Sequence, residues 1–159
     1  MLAVLHQTFT IMKPESGYSR PSKAGSVSRE LMEEIRSFFD ATDPGSFKTT
    51  LFNILLAYGG RYYYNSGEPI EVVETLDRLG QLLAVVKSQA GNPEASLAHF
   101  FEDDRYLNIE GTLRSIRFFA LCRQSGMEDG AAIDTLKFYH DVTILIDACD
   151  SILKASAGG

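Results

Sequence analysis

Five carboxylates in this chain recur at a spacing that could hold a divalent cation. Glu30 and Glu33 stand three residues apart, and Glu71, Glu74 and Asp77 repeat that step on a later segment. Carboxylates at i and i+3 share a helix face, and two such faces brought together can chelate Mg²⁺. His99 and Glu102 also share a face, but two ligands are too few for a metal site. Arg61-Tyr62-Tyr63-Tyr64 is the densest aromatic cluster. Three consecutive helical residues fan over about 200°, so at least one tyrosine points away from its own core. Tyrosines beside an arginine suit an interface or a stacking ligand. The sequence holds no Gly-x-Ser-x-Gly, no phosphate-binding lysine loop and no Gly-x-Gly-x-x-Gly after a strand. No cofactor is expected.

The pairing of Glu30-x-x-Glu33 with Glu74-x-x-Asp77 resembles the metal site of the all-α nucleotide pyrophosphatases of the MazG type. Those enzymes join an ExxE motif to an ExxD motif. The resemblance covers four residues and implies Mg²⁺-dependent hydrolysis of nucleotides, with Glu30, Glu33, Glu74 and Asp77 as ligands. The chain departs from that family by the forty residues, and a further helix, between Glu33 and Glu74. His140-Asp141 resembles the metal-binding doublet of another class of phosphohydrolase, with His99 and Asp147 or Asp150 as nominal partners. Only about eighteen residues follow the doublet, too few for that family's remaining helices.

The elements that carry these residues decide how they weigh. From Val27 onward the apolar residues recur at helical spacing. The first helix spans 28–41, with Leu31, Ile35, Phe38 and Phe39 inward, and Asp43-Pro44-Gly45 stops it. The second starts on Ser46 as its cap, with Phe47, Leu51, Ile54, Leu55 and Tyr58 inward, and is weakened at Gly59-Gly60. The third runs from Pro69 to near Gly91. The fourth opens on Asn92-Pro93-Glu94, the fifth covers 109–124, and a capping box at Ser125–Glu128 starts a sixth that ends near Ala155.

Two helices carry a sharper pattern. Val72, Leu76, Leu79, Leu83, Val86 and Ala90 alternate steps of four and three, as do Phe138, Val142, Leu145, Cys149 and Ile152. That is the seam of a left-handed bundle. Val142–Ile146 is apolar most of the way round, which makes the sixth helix the central one. With Leu76, Leu83 and Ala90 at position a, Glu74 falls at f and Asp77 at b, on the outer face, with Arg78 in reach of Glu74. Glu30 and Glu33 likewise flank the side away from Leu31, Ile35 and Phe38. His140 and Asp147 both fall at f of their own helix. The register therefore predicts solvated acids and no nucleotide hydrolysis.

Composition sets the remaining bounds. The 159 residues are 45% apolar and 23% charged, the balance of one globular domain. Net charge is −6, which argues against nucleic-acid binding. Residues 1–29 carry +3, from Lys13, Arg20, Lys23 and Arg29 against Glu15, so a basic arm precedes an acidic body. Pro14, Gly17, Pro21 and Gly25 mark 13–26 as linker. No apolar run is long enough to span a membrane. The opening segment lacks the basic start and cleavage site of a signal peptide. Cys122 and Cys149 lack metal-site spacing and read as buried thiols. Together these predict a cytoplasmic location.

The sequence thus predicts an all-α bundle of five to six helices over 27–159, behind an N-terminal arm and linker at 1–26. The favoured function is a non-enzymatic interaction protein that associates with itself, as a homodimer or higher even oligomer. Tyr62, Tyr63, Tyr64, Leu82, Val85 and Ile144 are its candidate interface, because one chain has few helices with which to cover them. The alternatives are the Mg²⁺-dependent nucleotide pyrophosphohydrolase and a small-molecule-binding regulator built on the Tyr62–Tyr64 region.

Overall fold

The structure, a computed structural model, describes residues 27–60, 69–102, 105–122 and 134–158. Those residues form six helices and no strand. The first, α1 (Arg29–Ala41), starts because the Ser28 hydroxyl accepts a hydrogen bond from the Leu31 amide at 3.1 Å. It buries Leu31, Ile35 and Phe38 at steps of four and three. In α2 (Pro44–Gly60) the cap differs from the sequence expectation. The Asp43 carboxylate accepts from the Ser46 amide at 2.9 Å, and Pro44 occupies the first helical position. Asp43-Pro44 therefore opens α2 rather than only closing α1. Proline at the first position gives up an amide that has no partner there anyway. Hydrogen bonds from Ser46 hold the Asp43 carboxyl below the ordinary aspartate range.

The expected seam of α3 (Pro69–Ser88) is realised. Val72, Leu76, Leu79, Leu83 and Val86 are all buried, while Ala90 lies beyond the helix end and is exposed. In α4 (Ala95–Phe101) the cap falls two residues later than Asn92, on Glu94, whose carboxylate takes the Ser96 amide at 2.6 Å. The fifth helix, α5 (Arg105–Cys122), begins four residues before the expected start at 109. The last, α6 (Thr135–Ala157), opens on Asp134, which accepts from the Lys137 amide at 2.8 Å. The capping-box signal at 125–128 lies outside the described residues, as do the arm and linker at 1–26.

Helix α6 packs against α1, α2, α4 and α5, and α3 packs against α1 and α5. The central place assigned to the sixth helix is thus observed. Its whole seam, Phe138, Val142, Leu145, Cys149 and Ile152, is buried, together with Ile146 and Ala148 on its flanks. Buried side chains of all six helices belong to one cluster. Among the described residues no helix is long and apolar enough to cross a membrane.

One thiol in this core gives a direct test. Burial pushes the Cys149 thiol from its usual 9.0 to about 12. The unfolded thiol ionises near its usual value and the buried one does not. This group's contribution to stability is therefore full below pH 9.0 and lost as pH rises toward 12. Alkylation followed by peptide mass analysis is expected to leave Cys149 unlabelled until denaturant unfolds the chain. Labelling at the rate of a free thiol in the native state would contradict this.

Candidate functional site

The carboxylates singled out for metal binding sit on outer faces. Glu30 and Glu33 are exposed on α1, and Glu33 takes Arg29 at 2.6 Å. Glu74 is exposed on α3, and Asp77 is paired with Arg117 of α5 at 2.8 Å. Among the described residues no three His, Cys, Asp or Glu side chains are close enough to hold a metal ion. The four residues that resemble a pyrophosphatase site are therefore not assembled into one. His99 and Glu102 meet at 2.7 Å as an exposed pair within one helical turn.

The His-Asp doublet splits into two different environments. His140 is exposed, whereas Asp141 is 2% exposed and the one buried charged residue among those described. Arg105 of α5 approaches its carboxylate at 3.3 Å and Lys137 at 3.0 Å, with His140 Nδ1 at 3.7 Å. The Arg105 guanidinium also donates to the carbonyl of His99, near the end of α4. Arg105 thus ties α4, α5 and α6 together at one point. A buried carboxylate needs such partners, because its desolvation is otherwise uncompensated. The buried carboxylate is satisfied by the side chains around it. Its signal was present in the sequence: Asp141 stands three residues after Phe138 and four before Leu145, on the covered side of α6.

A groove of about 540 Å³ runs along the packed helices α3 and α5, lined by Asp77, Gly80, Ala84, Leu113, Arg114 and Arg117. The two helices run antiparallel, since Lys87 meets Glu110 at 3.0 Å and Asp77 meets Arg117. Gly80 gives the Arg117 side chain its place. A Cβ there would lie 2.5 Å from Nη2, which instead donates to the Leu76 carbonyl at 2.9 Å. Gly80→Ala should therefore forfeit the usual gain in helix propensity and lower stability by about 1 kcal/mol, as a charged hydrogen bond is lost. Gly111→Ala, where a Cβ meets nothing within 4 Å among the described residues, should raise the stability of the single chain, measured in dilute solution, by about 1 kcal/mol instead. Denaturant unfolding of the two variants checks the pair, and equal shifts would contradict the Arg117 contact.

Exposed apolar side chains form the remaining feature. Six large ones are exposed among the described residues: Phe52, Leu56, Ile70, Leu107, Phe118 and Leu136. Helices α2 and α6 run antiparallel, with Lys48 on Asp147 at 2.5 Å and the rings of Phe52 and Tyr139 5.7 Å apart. That register sets Leu56 level with Leu136, so Phe52, Leu56, Leu136 and Tyr139 make one strip along the pair. Leu107 and Phe118 lie eleven residues apart on α5, three turns along a single face.

The expected interface residues fare differently. Leu82 is fully buried within the chain, against the expectation that α3 would leave it uncovered. The reason is that α1 and α5 both pack on α3, so its covered arc is wider than its seam. Val85 and Ile144 are half-buried against the core. Tyr62, Tyr63 and Tyr64 lie outside the described residues, as does the side chain of Cys122.

Comparison of the chain with protein-family models, with curated proteins and with solved structures finds no match.

Proposed function

We propose that this chain is a helical interaction protein that associates with copies of itself. One observation carries the reading. Five of the six exposed large apolar side chains gather on two strips, one on α2 and α6 and one on α5, rather than scattering. Single exposed apolar residues are ordinary, whereas aligned ones lose water-exposed area when a partner covers them. Closed two-fold association is the simplest way for one kind of chain to cover its own strips.

Co-expression of a tagged and an untagged copy tests the reading. Untagged chain is expected to be retained with the tagged one through purification, and to be lost when Phe118 and Leu136 are both changed to serine. Recovery of tagged chain alone from the unmodified pair would contradict self-association.

A further inference from the structure

Gly111 is a residue that the described residues around it do not explain. It sits in the interior of α5, where glycine is worth about 1 kcal/mol less than alanine. At Gly80 the cause is visible, since Arg117 fills the space. At Gly111 a Cβ would meet nothing within 4 Å among the described residues. A glycine on an exposed helix face lets another backbone approach closely.

Its neighbours on that face form a pattern. Leu107, Gly111, Arg114 and Phe118 step by four, three and four, and all four are exposed. Arg114 makes no hydrogen bond or ion pair among the described residues. The order of sizes is self-complementary about the point between Thr112 and Leu113. Turned end for end, Leu107 falls opposite Phe118, and Gly111 opposite Arg114. Antiparallel helices with a four-three seam set their residues opposite one another in this alternating way.

Resting on the self-association reading, the geometry points to an antiparallel pairing of α5 with α5 of a second copy, centred between Thr112 and Leu113. The stem of each Arg114 lies over Gly111 of the other copy, where no side chain obstructs it, and its apolar methylenes are covered there. Its guanidinium reaches Glu110 of that copy, a carboxylate that already holds Lys87 and has lone pairs to spare. Leu107 and Phe118 close the two ends. The second copy is favoured over another partner because the sizes along the strip match when it is turned end for end, and because Arg114 then comes within reach of Glu110, a carboxylate beside the strip. The α2 and α6 strip, built from two different helices, lacks this symmetry.

Light scattering and sedimentation of four variants test the assignment. Gly111→Arg improves helix propensity and meets nothing close among the described residues, so its fold and melting in dilute solution should be kept. Its self-association should weaken by about tenfold or more, the size of one good interface contact. Phe118→Ser should weaken it comparably, and Leu136→Ser should leave it within about twofold. The exchange Gly111→Arg with Arg114→Gly rebuilds the same layer with its members swapped, and should recover association. Undiminished association of folded Gly111→Arg overturns the α5 assignment while self-association stands. Failure of the swap to recover overturns the antiparallel register. A wild-type chain that is monomeric throughout overturns both the assignment and the reading beneath it.

Discussion

Phe100→Ala is expected to lower stability by about 3–5 kcal/mol, the range for removing a buried phenylalanine ring. Phe100 is fully buried and belongs to a helix of only seven residues. A helix this short has no stability of its own and holds its shape by packing. With its neighbour Leu97 it is what fixes α4 against α6. The ring of Phe101 lies 5.6 Å from that of Phe100 and 6.3 Å from Tyr106 of α5, so the cavity would open beside an aromatic run that joins α4 to α5. Since stabilities of whole domains are about 5–15 kcal/mol, the variant should sit near the limit of folding. Urea unfolding gives the number. A loss under about 1 kcal/mol would mean that α4 is not docked as described.

Arg105→Ala is expected to cost about 3 kcal/mol, because it leaves Asp141 buried with Lys137 as its main partner. Lys137 is half exposed and reaches the carboxylate from the solvent side, so it offsets only part of the loss. The hydrogen bond to the His99 carbonyl goes too, which loosens α4 at its end. Replacing both members, Arg105→Met with Asp141→Leu, should recover most of the stability, since paired apolar groups carry no desolvation penalty. A double-mutant cycle by denaturant unfolding separates the terms. Additive losses in that cycle would show that the two side chains do not act on one another.

The long helices were legible because their apolar residues recur with a period the chain cannot disguise. Every four-three position from Val72 to Val86, and from Phe138 to Ile152, is buried. The outward placement of Glu74, Asp77, His140 and Asp147 followed from the same register. Caps were read less well. Asp43 and Ser46 are both good cap residues, and Glu94 caps α4 although Asn92 is the better cap type; which one bonds depends on where the preceding chain arrives. Leu82 was misjudged because one helix's pattern does not reveal how many neighbours flank it. The burial of Asp141 is not read from the sequence because its charge outweighs its position, although Arg105 supplies the compensation from thirty-six residues away. The α5 strip is not visible in the sequence either: nothing there singles out Leu107 or Phe118, and only the packing of α3 and α6 on α5 shows which side is left open.

Self-association is the claim on which the functional account stands, and sedimentation velocity of the unmodified chain over a dilution series tests it most directly. The account predicts a species of twice 17.6 kDa, or a higher even multiple, that dissociates toward a single chain on dilution. A single species of 17.6 kDa at every concentration would contradict it.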